Sequence, residues 1–251
     1  MWIVTLILLL LATACSVAPE PISVPAFRAE ITEPLRVKAV MVGAESSIKA
    51  FDNATDRFSK SLTARVGPNR ATIARFSNRP IPETKRSEIP GVLRAIETMQ
   101  AGPNESCLIF VTGHGIQDRG VAFPRSKDYL RQNALDRAIA QGCGKRPTVV
   151  VISACFSGGY TTGPVARDNR IVLTAARRDR PSFGCGVQNN FTYFDGCFLS
   201  GFEDKASTTW EDVARSAIAC VGSLERTDDF EPSEPQLYVG RTVVGLKLPG
   251  V

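Results

Sequence analysis

The sequence lacks the short motifs that mark several common kinds of site. It has no Cys-x-x-Cys pair of the kind that holds zinc, and no Gly-x-x-x-x-Gly-Lys loop of the kind that cradles phosphate. Ser157 is not the serine of a Gly-x-Ser-x-Gly elbow, because Cys155 occupies the place of the first glycine. We therefore expect no metal, no cofactor and no serine nucleophile.

Basic residues are not concentrated anywhere along the chain. The 30 lysines and arginines exceed the 25 acidic residues and give a net charge of +5, yet no run contains five basic residues. Scattered charge of this kind is typical of solvated surface, so we expect no nucleic-acid partner. With 43% hydrophobic and 22% charged residues, the 251-residue chain has the composition of one globular domain with short extensions.

The apolar run at the start of the chain, residues 1–11, is too short to span a bilayer as a helix and has the size of a signal-peptide core. It ends in Ala12-Thr13-Ala14-Cys15, which resembles the lipobox of bacterial lipoproteins, where cleavage precedes a cysteine that carries diacylglycerol. No Lys or Arg precedes the run, and Ala12 stands where leucine is commoner. A cleaved signal without lipid and an uncleaved anchor therefore remain alternatives.

These features predict a signal peptide over 1–14, a Pro-rich linker over 15–35 that begins at a lipidated Cys15, and a folded domain over 36–251. An acylated cysteine holds a domain at a membrane, because each buried CH2 contributes about 0.8 kcal/mol. Ser16 gives no retention signal of the aspartate type. We expect a protein exported from the bacterial cytoplasm into the periplasm and lipid-anchored at the outer membrane.

Apolar strand patterns alternate with amphipathic helix patterns in the folded part, which predicts a doubly wound α/β domain. The predicted strands cover 37–42, 71–76, 107–112, 148–152, 171–175 and 236–239, and the predicted helices cover 52–62, 90–99, 128–140 and 210–221. The nearly pure β-branched run at 148–152 is typical of a parallel strand covered on both faces. Right-handed crossovers make 107–112 and 148–152 parallel neighbours.

Two of these strands end in residues that can carry chemistry. His114, the only histidine, follows strand 107–112 between two glycines, and Cys155 follows strand 148–152 in a turn of small residues. Parallel strands about 4.8 Å apart would bring both side chains to the same rim of the sheet. Imidazole can take the proton of a thiol that attacks a carbonyl, and the N–H groups of Gly115 and Cys155 could bind the resulting oxyanion. A structural histidine and an inert buried cysteine are the alternative interpretation.

The sequence around these residues resembles legumain-like (C13) cysteine peptidases. The likeness rests on Phe-Val-Thr-Gly-His-Gly at 110–115 and Ile-Ser-Ala-Cys-Phe-Ser-Gly-Gly at 152–159, and it continues at 121–124, 175–185, 191–195 and 235–240. It covers roughly residues 36–245 in family order. It implies a caspase-like three-layer sandwich with a mostly parallel central sheet, and a cysteine endopeptidase acting on polypeptides. Cys155 would be the nucleophile, His114 its partner, and Gly115 and Cys155 the oxyanion donors.

The chain departs from the eukaryotic family pattern at three places. Gly113, a residue near Phe51, and Ser153 stand where those enzymes have an acidic residue, a P1-binding Arg and a Glu. The resemblance places Ser153, Ser182 and Asp195 at the substrate pocket. An acidic Asp195 without its basic partner would favour Lys or Arg at P1 ahead of Asn. Asp195 as a simple cap of the following helix is the alternative.

The cysteines other than Cys15 and Cys155 number five, so at least one stays unpaired within the chain. Cys107 opens its strand and Cys143 lies just before the next one, so both would lie at the rim opposite the active site. That pair is the first choice for a disulfide, and Cys185 with Cys197 is the second.

Three functions remain open on the sequence alone. The leading one is an endopeptidase that forms an acyl-enzyme at Cys155 and releases it to water. A transpeptidase would pass the same acyl group to an amine, and the choice depends on how well the cleft excludes water. A binding or scaffold protein would keep the fold without the activity.

Overall fold

The computed structural model describes residues 36–251. The predicted signal peptide over 1–14 and the linker over 15–35 with its lipidated Cys15 lie outside the described residues, and those predictions stay predictions. Within 36–251, no helix is long and apolar enough to cross a membrane.

A seven-stranded sheet forms the centre of the domain and confirms the predicted α/β class with a mostly parallel sheet. Its strands lie in the spatial order β3-β2-β1-β4-β8-β9-β10, and all neighbours are parallel except the β9–β10 pair. The bounds are β1 Arg36–Gly43, β2 Ala71–Phe76, β3 Thr84–Lys85, β4 Glu105–Thr112, β8 Thr148–Ser153, β9 Arg170–Thr174 and β10 Gln236–Val239. A small antiparallel sheet comprises β5 Gly115–Ile116, β6 Gly120–Phe123 and β7 Asp128–Leu130.

Helices cover both faces of the central sheet. They are α1 Lys49–Val66, α2 Ile89–Glu97, α3 Gln132–Cys143, the single turn α4 Gly159–Thr162, α5 Tyr193–Glu203 and α6 Trp210–Thr227, with a 3-10 turn at Pro124–Ser126. The core on one face combines buried residues of α1, α5 and α6, and the core on the other combines those of α2, α3 and the small sheet. These two faces are called the α5 face and the α3 face below.

Strand β4 shows why the central sheet needs both layers. Leu108 and Phe110 belong to the core of the α5 face, whereas Ile109 and Val111 belong to the core of the α3 face. Alternate side chains of a strand point to opposite faces, so a continuous apolar run is stable only between two covering layers. The apolar runs in the sequence therefore identified the central strands.

The helix predicted over 128–140 is wrong at its start. Asp128–Leu130 is strand β7, and helix α3 begins only at Gln132. Leu130 pairs with Val121 of β6 and is fully buried in the core of the α3 face. Local helix-type spacing was overridden by pairing with a segment that precedes it in the chain.

Two disulfides are present among the described residues, Cys107–Cys143 and Cys197–Cys220. The first is the pairing that the strand positions favoured. The second replaces the expected Cys185–Cys197 bond, because Cys197 on α5 faces the packed helix α6, where its Cα lies 5.7 Å from that of Cys220. Cys185 is a free, partly buried thiol that packs against the small cluster around Phe51.

Candidate active site

The parallel pair β4–β8 places His114 and Cys155 at one rim of the sheet. Thr112 at the end of β4 pairs with Ser153 at the end of β8, and the N–H of Gly113 donates to the Ser153 carbonyl at 3.0 Å. His114 and Cys155 each follow two residues after this last pair. Their alignment therefore comes from the strand register.

Gly115 brings the His-Gly segment into direct contact with the turn that contains Cys155. A Cβ atom at this position would lie 1.8 Å from the carbonyl oxygen of Cys155 and 3.0 Å from its nitrogen, so only glycine fits. Phe156 has a φ of 56°, and its N–H donates to the Arg180 carbonyl at 2.8 Å. A left-handed residue just after Cys155 turns the chain sharply, which leaves the thiol on an outward bend.

The Cys155 thiol is free and partly exposed. Its sulfur accepts a hydrogen bond from the Ser182 N–H at 3.2 Å, and it lies 3.5 Å from the Ser182 carbonyl oxygen and 3.6 Å from its hydroxyl. A backbone N–H directed at sulfur stabilises the negative charge of a thiolate. Ser182 therefore lies beside Cys155, and the atom of Ser182 nearest to the sulfur is its backbone nitrogen.

His114 has two neighbours from the loop and helix that follow β1. Its ring packs edge-on against Phe51 with 5.4 Å between centroids, and its Nε2 lies 3.6 Å from Oε1 of Glu45. The His114 side chain is 41% exposed and that of Glu45 only 13%, so the carboxylate faces the ring from a sheltered position. A carboxylate there can orient the imidazole ring.

Sequence reasoning missed Glu45. The signal that could have found it is its position two residues after β1, a strand adjacent to β4, which puts it at the same rim as His114. Phe51, near the place of the family's P1-binding arginine, is buried and supports the His114 ring instead.

Asp195 lies beneath the rim of His114 and Cys155 with no exposed surface. Its carboxylate accepts a hydrogen bond from Thr112 Oγ1 at 2.7 Å, and burial raises its pKa to about 6 although this hydrogen bond favours the ionised form. Asp195 is not the cap of helix α5. That role belongs to Thr192, whose hydroxyl accepts from the Asp195 N–H at 3.0 Å.

The structure thus gathers most of the predicted residues. His114, Gly115, Cys155 and Ser182 line the rim, while buried Ser153 and Asp195 lie just below it. Asp195 is not open to a substrate side chain in this structure. The Cys107–Cys143 bond lies at the opposite edge, where β4 and β8 begin.

The family model of the Peptidase C13 family matches residues 86–222, a range that includes both His114 and Cys155. The chain belongs to the Peptidase C13 family. The crystal structure of caspase-1 from Spodoptera frugiperda is similar to this C13 protein, with a TM-score of 0.61, 12% sequence identity, and coverage of 89% of this chain and 93% of that chain. No curated protein matches the sequence.

Family membership and the caspase-like fold support a cysteine-peptidase type of function for this C13 protein. At 12% identity the likeness to the insect caspase concerns the fold alone. The caspase fold therefore does not by itself say which side chains of this protein are catalytic.

Proposed function

We propose that this protein is a cysteine endopeptidase in which Cys155 is the nucleophile and His114 the general acid and base. The observation that carries the proposal is the contact between the His-Gly segment and the Cys155 turn, at the ends of two register-matched parallel strands. The thiol is free, partly exposed and held by the Ser182 N–H. Acyl transfer requires an accessible thiol and an imidazole that can exchange its proton, and both are present at this rim of the sheet.

In the proposed reaction His114 takes the Cys155 proton and the thiolate attacks the carbonyl carbon of the peptide bond. The N–H groups of Gly115 and Cys155 donate to the oxyanion, and Glu45 stabilises the imidazolium. His114 then gives its proton to the leaving amine as the carbon–nitrogen bond breaks, which leaves a thioester. Water, deprotonated by His114, attacks the thioester and releases the acid and the free thiol.

A peptide electrophile that alkylates thiols tests the proposal. Wild-type protein should be labelled at Cys155 far faster than free cysteine, and His114→Ala should slow labelling by at least about a hundredfold. Cys185→Ser is the matched control, because it removes the other free thiol of the described residues. Its labelling rate should equal that of wild type, since burial raises the pKa of the Cys185 thiol and disfavours the reactive thiolate there. Labelling of Cys155 at the rate of free cysteine, unchanged in His114→Ala, would contradict the proposed roles.

For specificity we propose Lys or Arg at P1, with Ser153, Ser182 and Asp195 around the side chain. Because Asp195 is fully buried, a basic side chain reaches its carboxylate only when the groups that cover it move aside. A peptide library read by mass spectrometry, on wild type and Asp195→Asn, tests this preference. An Asn or Asp preference that persists in the variant would place the P1 pocket elsewhere.

We also propose that Cys15 carries lipid and holds the domain at the periplasmic face of the outer membrane. The support is the small-residue sequence before Cys15 and the Pro-rich segment after it. Peptide substrates would then be those that reach the periplasm.

A further inference from the structure

A cavity of about 310 Å³ opens beside the turn that contains Cys155, and its lining includes three arginines and one acidic residue. Arg119 lies in the β5–β6 turn, Arg131 just before α3, and Arg178 in the loop after β9, while Phe156, the residue after Cys155, and Tyr160 of α4 also line the cavity. We call this the cationic cavity. We propose, on the basis of the function proposed above, that it binds a substrate carboxylate on the leaving-group side of the cleaved bond.

The cationic cavity keeps a net positive charge after its internal pairs are counted. Asp118 is the acidic residue of its lining, and it is paired with Arg178 at 2.8 and 3.0 Å. Arg119 has no carboxylate partner among residues 36–251; its guanidinium lies over the Tyr129 ring, 5.5 Å from the centroid, which positions it without using its N–H donors.

Within the part of the chain that the structure describes, Arg131 forms an ion pair only with Asp128, at 3.5 Å, and both side chains are more than half exposed. A pair this long and exposed leaves the guanidinium able to exchange partners. The first turn of α3 contains no acidic residue and adds positive potential of the same sign. Two arginines are therefore available for a carboxylate, and arginine is the side chain best shaped to bind one.

The position of the cavity relative to the sheet indicates which part of a substrate it meets. Tyr160 and the small sheet that carries Arg119 pack on the α3 face, whereas Asp195 lies in the first turn of α5 on the opposite face. In this proposal, a peptide whose P1 side chain lies toward Asp195 crosses the rim at Cys155 and continues over the α3 face. The residues after the cleaved bond therefore meet the cationic cavity.

The test uses quenched peptides built on the best-cleaved library sequence, with Glu-Glu or Gln-Gln directly after the cleaved bond. Wild type should cleave the Glu-Glu peptide with a kcat/KM about fivefold higher, because each exposed ion pair contributes only modestly. Arg119→Gln combined with Arg131→Gln should remove this preference. Arg137→Gln, an exposed arginine on α3 outside the cavity, is the matched control and should retain it.

A second pair of peptides ends two residues after the cleaved bond, with a free carboxylate or with an amide. It distinguishes a chain terminus from an acidic side chain as the source of the bound carboxylate. In both pairs, salt raised to about 0.5 M should reduce the preference by screening.

Binding to the Cys155→Ala variant separates the two proposals. Fluorescence anisotropy with labelled Glu-Glu and Gln-Gln peptides needs no turnover, so an acidic preference without any cleavage by wild type would support the cavity and overturn the peptidase function. Equal cleavage and equal binding of both peptides would overturn the cavity and leave the peptidase function standing. Equal binding without cleavage would overturn both.

Discussion

Asp195→Asn should remove a pH dependence of stability that the buried carboxyl imposes on the domain. Burial raises the pKa of Asp195 from an ordinary 3.8 to about 6 in the folded protein. The folded state then favours the protonated carboxyl, so this stabilisation is fully present below about pH 4 and is lost as the pH rises through 6. The shift of the pKa from 3.8 to about 6 corresponds to about 3 kcal/mol of unfolding free energy.

The variant replaces the titrating group by a neutral one of the same shape whose carbonyl can still accept the hydrogen bond from Thr112. Relative to wild type, its free energy of unfolding should rise by up to about 3 kcal/mol between pH 4 and pH 7.5. For a domain of this size that corresponds to a relative gain of about 6–12 °C in Tm.

Urea unfolding of the oxidised protein, followed by tryptophan fluorescence at several pH values, measures this difference. Asp204→Asn removes an exposed carboxyl at the other end of α5 and should leave the pH dependence as in wild type. A variant that loses stability against wild type as the pH rises would refute the reasoning, because it would mean that the ionised carboxylate is the stabilising form.

Three further predictions concern other parts of the chain. Glu45→Gln should lower kcat about tenfold with little change in KM or Tm, because the carboxylate meets His114 at a partly exposed rim; an unchanged kcat in steady-state assays would remove this role. Cys15→Ser should release the protein from membranes or block its maturation, and an unchanged membrane fraction after palmitate labelling would count against the anchor. Replacing Cys197 and Cys220 by serine should cost about 3 kcal/mol in unfolding free energy, and non-reducing peptide mapping should find the two joined in wild type.

The central sheet and the placement of His114 and Cys155 at one rim were predictable because both depend on local sequence. Apolar runs such as 148–152 are stable only as strands covered on both faces, and the positions of His114 and Cys155 follow from where two such runs end. The small residues around them allow the close backbone contact at Gly115. The Cys107–Cys143 bond was predictable for the same reason, since Cys107 lies near the start of β4 and Cys143 ends α3 shortly before β8 begins.

Other features depended on contacts between segments distant in the chain. Cys197 bonds to Cys220 because α5 packs on α6, and no local pattern prefers that partner to Cys185. Residues 128–130 form a strand because β6 offers a pairing edge, although their local spacing suits a helix.

The sequence by itself determined the alternation of strands and helices, the family and the positions of His114 and Cys155 at two strand ends. Tertiary structure decided which groups surround these two residues: Glu45 beside the imidazole, buried Asp195 below the rim and the cationic cavity next to the turn that contains Cys155. The physical reason is that burial and charge pairing are properties of three-dimensional neighbours. Those neighbours come from loops whose paths are set by packing rather than by their own residues.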